Sequence, residues 1–238
     1  MILLACDTSD STCCAGLYRD GREEGYELSM EKKTHSETFM PLVARVFEKC
    51  GLKTGDVDRI AITVGPGSFT GIRIGMSAVL GMAAASEPAP QMIPVSSTAA
   101  LVRSFENVSY DKTSTCYIAC FDARNKRVFA QAFDGDTYES VMEEDAYNAA
   151  DVAKKIARDL QNRFNNFIVV GSGADSMASA IEEECPFINV QYAKGAVILP
   201  KGVALASEGV APVNPEELKA RYCAVSRAER YQTGAELK

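Results

Sequence analysis

One histidine, His35, is all the imidazole this chain has, and its eight cysteines include no C-x-x-C pair. A lone histidine cannot make a two-histidine metal site within one chain, and the H-E-x-x-H pattern of zinc peptidases is absent. Cys13 and Cys14 are adjacent and would face opposite sides of a strand. Cys6, Cys50, Cys116, Cys120 and Cys185 lie in or beside apolar runs. The thiols therefore read as buried and reduced, not as disulfides or zinc ligands. No run approaches about 18 uninterrupted apolar residues, so no membrane span is expected. The N-terminus lacks a basic leader region and enters strand-like sequence directly, so a cytoplasmic location is expected. Basic residues are outnumbered, 25 Lys and Arg against 32 Asp and Glu, for a formal charge of −7. That balance disfavours a stand-alone nucleic-acid binder, because phosphate repels an acidic surface. The local basic groups are Lys32-Lys33, Arg124 to Arg127, and the tail with Lys219, Arg221, Arg227 and Arg230. They read as solvated charge or as RNA contacts within a larger assembly.

With 47% hydrophobic residues and no low-complexity segment, 238 residues suffice for a core in one large domain or two small ones. The most distinctive stretch is Gly65-Pro66-Gly67-Ser68-Phe69-Thr70-Gly71-Ile72-Arg73-Ile74-Gly75. It follows the apolar run Ile60 to Val64 and precedes the small, helix-prone residues Met76 to Ala85. It therefore reads as a strand-to-helix turn whose glycines permit close backbone approach and positive φ. Such a turn directs free N–H groups past the helix N-terminus. It is not a nucleotide P-loop, since Gly71 is followed by Ile72 and Arg73. Nor is it a dinucleotide fingerprint, since Thr70 stands where the third Gly would be.

Along the chain, residues 2–6, 12–18 and 23–28 read as a meander of strands with turns at Asp7 to Ser11 and Asp20-Gly21. Thr34-His35-Ser36-Glu37 matches a helix-start box. Phe39, Leu42, Val43, Val46, Phe47 and Cys50 then mark one helical face, with a kink or a delayed start at Pro41. A strand at 60–64, the glycine-rich turn and a helix over 71–86 follow. That helix is apolar on nearly all sides and should be covered on nearly all sides. A strand at 92–95 leads to a helix capped by Ser96-Ser97-Thr98. Composition shifts at 105–113. Beyond it come a hairpin (115–121, 127–133) around Asp122-Ala123-Arg124-Asn125, a helix at 149–164, a strand at 167–170, Gly171-Ser172-Gly173, and helices at 174–184 and 202–210. Each half opens with a strand pair whose turn carries an Asp, a weak internal duplication of an α/β unit.

Three segments taken in order resemble the TsaB (YeaZ-type) family over nearly the whole chain: Leu3-Leu4-Ala5-Cys6-Asp7-Thr8-Ser9, His35-Ser36-Glu37 with Pro41 after it, and Gly65 to Gly75. Asp122-Ala123-Arg124 and Gly171-Ser172-Gly173 add to the match, while Leu218 to Tyr222 poorly match the family's Tyr-Leu-Arg element. The resemblance implies a two-lobed α/β, actin-like ATPase (ribonuclease H-like) fold, each lobe a mixed sheet with helices. The expected division is 1–106, 107–210 and a tail over 211–238. It further implies a non-catalytic subunit of bacterial tRNA threonylcarbamoyladenosine synthesis. Its implied partners are a catalytic paralogue of the TsaD type and an ATPase of the TsaE type. tRNA would be met only through the complex, and the chain would form a homodimer when alone.

No cofactor of its own is expected, although the fold's nucleotide cleft remains open as a site for ATP or ADP with Mg. Its places fall on Asp7, Thr8, Ser9, Asp122, Gly171 and Gly173. Two alternatives stay beside the scaffold reading: an ATP-dependent phosphotransferase using Asp7 or Asp122, and a metallopeptidase, which the histidine count disfavours. The two apolar helices predict a partner surface, placed on Phe39, Leu42, Val43, Val46, Ile72, Met76, Val79 and Leu80. On that reading Val46→Glu or Val79→Asp breaks self-association and leaves the fold intact.

Overall fold

The computed structural model describes residues 1–31, 35–105 and 111–223. Its first sheet contains β1 (Ile2–Asp7), β2 (Cys13–Arg19), β3 (Arg22–Ser29), β4 (Arg59–Gly65) and β5 (Gln91–Ser96), in the order β3-β2-β1-β4-β5. The second contains β6 (Thr115–Asp122), β7 (Arg127–Asp134), β8 (Ser140–Asn148), β9 (Asn166–Val170) and β10 (Val190–Ala193), in the order β10-β9-β6-β7-β8. Each sheet is an antiparallel meander whose first strand continues in parallel pairing with two crossover strands. The two orders are the same topology used twice, which makes the duplication explicit and gives the two-lobed α/β fold, each lobe a mixed sheet with helices.

Strand alternation builds both faces of each sheet. In β1, Ile2, Leu4 and Cys6 join one core while Leu3 and Ala5 join another; in β6, Cys116, Ile118 and Cys120 separate in the same way from Tyr117, Ala119 and Phe121. Helices α1 (His35–Cys50) and α2 (Phe69–Ala84) cover the outer face of the first sheet. Helices α4 (Ala149–Lys155), extended by a π-helical turn over 156–160, and α5 (Ala174–Glu184) cover the outer face of the second. Helix α3 (Ser97–Ser104) lies between the sheets with α6 (Pro200–Ala206) packed along it, inside a core drawn from both lobes. No helix among the described residues is long and apolar enough to cross a membrane.

Several expectations shift. Helix α1 begins at His35 and runs through Pro41, which lies on its exposed face, where the carbonyl left without an N–H partner can meet water. Thr34 of the helix-start box, Lys32, Lys33 and the tail beyond Cys223 lie outside the described residues. Ser68 caps α2 by accepting from Gly71 N at 3.1 Å, so the helix starts at Phe69. Strands β8 and β10 were not expected. Both are edge strands; β8 carries Glu143, Glu144 and Asp145, and β10 is four residues long. The expected division at residue 210 also moves. Helix α6 packs on α3 and the first sheet, and Val213 pairs with Met92 of β5, so the chain returns to the first lobe soon after β10.

Candidate functional site

The cleft-side ends of β1, β6 and β9 bring Asp7, Asp122, Gly171 and Gly173 to the same edge of the two sheets. Asp7 ends β1 with its side chain fully enclosed. Its Oδ1 accepts from Thr63 Oγ1 (2.6 Å), Ser9 Oγ (2.6 Å) and Ser9 N (3.0 Å). Among the described residues, Oδ2 has no hydrogen-bond partner. Burial pushes this carboxyl above the usual carboxylate range, against the donors from Ser9 and Thr63.

The turn after Asp7 is folded onto the glycine-rich segment instead of opening toward the cleft. Ser68 N donates to Ser9 O (2.6 Å), and Thr8 Oγ1 donates to Gly71 O (2.8 Å). A Cβ at Gly67 would overlap Ser9 O, one at Gly71 would overlap Thr8 O, and one at Gly75 would overlap Thr8 Oγ1. The glycine spacing is therefore explained by the seating of a helix on a turn. Gly65 (φ +121°) and Gly67 (φ +151°) take the left-handed backbone expected of them. His35 fastens the same turn from the other side, with Nε2 2.7 Å from Asp10 O. This is the local hydrogen-bonding role a helix-start residue suggests.

Asp10 bridges the lobes: its Oδ1 accepts from Ser172 Oγ at 3.3 Å. Burial raises its carboxyl, opposed by the hydrogen bond from Ser172 and the neighbouring His35 and reinforced by Asp122. Asp122 itself is exposed and accepts Arg124 N (2.8 Å) within the hairpin turn. A Cβ at Gly171 would overlap Cys120 O, and one at Gly173 would press on Phe121 and Val128. Both glycines thus serve the packing of β9 and α5 on β6. The residues assigned to a nucleotide do come together, but Thr8 and Ser9 are enclosed and their polar groups are turned into the protein. Among the described residues, no cluster of three His, Cys, Asp or Glu is placed to hold a metal ion.

All eight cysteines are free, and six are buried. Burial pushes the Cys6 and Cys14 thiols upward, and that of Cys13 to about 11.

The partner surface needs correction. Phe39, Leu42, Val43, Val46, Ile72, Met76 and Val79 are buried in the first lobe's own core, and Leu80 is half-buried against it. The apolar stripe of each helix faces the sheet because that is where most of its area can leave water. Val46→Glu and Val79→Asp would therefore bury a charge in the core and unfold the lobe. What the helices leave outside is different. On α2, Thr70, Arg73, Ser77, Gly81 and Ala84 are exposed, with Ile74 and Ala78 half-buried; on α1, Ser36, Met40 and Ala44 are exposed. Between the helices runs an open groove of about 550 Å³ with Phe39 and Phe69 among its lining. Sequence periodicity located the helices, but the partner surface was placed on their apolar stripes. The signal for the outer face was the small-residue spacing Ser77, Gly81, Ala84.

Comparison with known proteins places these features. A family model described as TsaD, tRNA N6-adenosine threonylcarbamoyltransferase, matches residues 29–214. The tRNA threonylcarbamoyladenosine biosynthesis protein TsaB of Haemophilus influenzae is 31% identical over 130 residues, 54% of this chain and 52% of that protein. Its namesake from Escherichia coli is 27% identical over 136 residues, 57% of this chain and 56% of that protein. The chain thus spans about half the length of the curated relatives it matches. A Pseudomonas aeruginosa structure described as similar to peptidase YeaZ superposes with a TM-score of 0.75 at 23% identity, covering 94% of this chain and 99% of that one.

Proposed function

We propose that this chain, which belongs to the TsaD family as a TsaB-type member, serves tRNA threonylcarbamoyladenosine synthesis as a non-catalytic subunit. The observation that carries the reading is the α1–α2 groove with its small and apolar outer residues. A helix pair that exposes Ser77, Gly81 and Ala84 lets another helix pair approach closely and pack by ridges into grooves. A catalytic paralogue of the TsaD type, carrying the same topology, would bring the matching pair and complete a four-helix contact. Without it, a second copy of this chain would meet the same face about a two-fold axis. A TsaE-type ATPase would join the pair, tRNA would be reached only through the assembly, and the whole would work in the cytoplasm.

The cleft supports the non-catalytic half of the reading. Asp7 Oδ1 and the turn after it are engaged in internal hydrogen bonds, and the single histidine is engaged with Asp10 O.

The test is co-expression with the TsaD-type paralogue of the same genome, followed by size-exclusion chromatography with light scattering. A stoichiometric complex, with modification activity that needs both chains, is the expected result. Failure to associate would overturn the scaffold reading, and tight Mg·ATP binding with turnover by this chain alone would replace it by a phosphotransferase.

A further inference from the structure

After α6 the chain does not trail away. Val213 exchanges hydrogen bonds with Met92 of β5 (Met92 N to Val213 O 2.9 Å, Val213 N to Met92 O 2.8 Å), and Leu218 enters the core beneath α1 and α2. Arg221 N then donates to Val64 O at 2.7 Å. A Cβ at Gly65 would overlap Arg221 O, so the glycine-rich segment is shaped to admit this strap.

Two neighbouring side chains of the strap reach in different directions. Arg221 Nε stands 3.1 Å from Oε2 of Glu144, a β8 carboxylate whose side chain is 0% exposed. Oε2 has no hydrogen-bond partner among the described residues, so this ion pair is what balances it. The other oxygen, Oε1, takes Ser96 Oγ (2.5 Å) and Thr98 Oγ1, both from the first lobe. Thr98 Oγ1 also lies 2.6 Å from Gln131 Oε1 on β7. Glu144 is thus a group of the second lobe sunk into the first and closed over by the strap. Tyr222 lies at the head of the groove. Its ring sits 4.9 Å from that of Phe69, and its hydroxyl accepts from Arg73 Nε at 3.1 Å. The Arg73 guanidinium in turn covers the Phe69 ring at 3.8 Å. Phe69 and Arg73 are in the first two turns of α2 and line the groove.

We propose that residues 213–223 form a latch that holds the two lobes together through Arg221 and Glu144 and transmits that closure, through Tyr222, to the α1–α2 groove. Opening the lobes withdraws Glu144 from Ser96, Thr98 and Arg221. The strap then loses its tie to the second lobe, one residue away from the ring that holds Arg73 and Phe69 in place. The groove keeps its shape only while the lobes are closed. The latch is a property of the isolated chain, so its failure leaves the partner reading standing, and failure of that reading leaves the latch standing.

The test is hydrogen exchange by mass spectrometry on the full chain, comparing wild type with Arg221→Gln, Glu144→Gln, the double variant and Arg221→Lys. The expected result is that both single variants speed exchange of the amides at 66–74 by about tenfold, the effect of losing one charge-assisted contact on a local opening. The double variant adds nothing further, and Arg221→Lys restores most of the protection. Faster exchange confined to 213–223, with 66–74 as in wild type, overturns the proposal, as does full additivity of the two single variants. Arg221 is 57% exposed and its replacement does not disturb packing. Should Glu144→Gln fail to fold, Arg221→Gln alone decides by the same criterion.

Discussion

On the proposed interface, Gly81→Arg separates the stability of the first lobe from its association, because Gly81 is open within the chain and lies on the face offered to the partner. Gly81 lies inside α2, is exposed, and has nothing within 4 Å of the position a Cβ would occupy. Within the chain, any good helix former is therefore better there than glycine. The gain is about 0.8–1 kcal/mol for Ala and slightly less for Arg. In a protein of this size that corresponds to a rise of about 2–4 °C in Tm. Across an interface the sign reverses. Gly81 is one turn beyond Ser77 and Ala78, which line the groove, and on the proposed packing a partner helix would pass over it. Placing a guanidinium there, desolvated and unpaired, costs at least about 2 kcal/mol, roughly thirtyfold in Kd. Thermal unfolding followed by circular dichroism at low protein concentration reads the first effect, with Gly81→Ala as the control. Calorimetry with the TsaD-type paralogue reads the second. Wild-type affinity in Gly81→Arg would refute the placement of the interface. A loss of stability in Gly81→Ala would refute the reading of the residue as open.

Gly71→Ala should behave oppositely to Gly81→Ala, since its methyl would overlap the Thr8 carbonyl oxygen; a loss of about 2–3 kcal/mol in urea unfolding is expected, and stability equal to wild type would count against the seating of α2 on the turn. Asp7 supplies a pH test. A carboxyl held above its unfolded pKa favours the folded state at low pH, and that contribution is lost as pH rises through the folded value. Asp7→Asn cannot ionise, so its stability relative to wild type should improve from the ordinary carboxylate range, about pH 4, upward; a variant that loses ground to wild type as pH rises would contradict the assignment. Ellman's reagent on the native protein should find only the half-buried Cys50 and Cys223, with the six buried thiols appearing on unfolding; rapid native modification of all eight would disprove their burial.

Much of the fold was legible from periodicity. Strand alternation in 2–6 and 115–121, the helical stripe from Phe39 to Phe47, and the glycine-rich strand-to-helix turn all fell where expected. Each reports a local rule: two residues per pleat, 3.6 per turn, and glycine where backbones touch. Strand β8 escaped because Glu143, Glu144 and Asp145 resemble a solvated charge run. Glu144 is enclosed only because Ser96, Thr98 and Arg221, all distant in sequence, converge on it. The site was legible in its parts and misread in its facing. Phe39, Val46 and Val79 were expected outside and lie inside, since an apolar stripe carries no sign saying which neighbour will cover it. The same holds for Asp7 and its turn, whose composition suits a phosphate loop and whose hydrogen bonds are spent on Thr63, Ser9 and the α2 glycines.

Taken alone, then, the order of the residues determined the element types, the repeat of one α/β unit and the kinship of the chain, because these follow from spacing along a backbone. Only tertiary structure decided which helix faces remain in water, that α6 and the strap return to the first lobe, and that a carboxylate of one lobe is neutralised by an arginine near the far end of the chain. Those outcomes depend on competition among distant segments for the same apolar area and the same hydrogen-bond donors, and no local pattern records who wins.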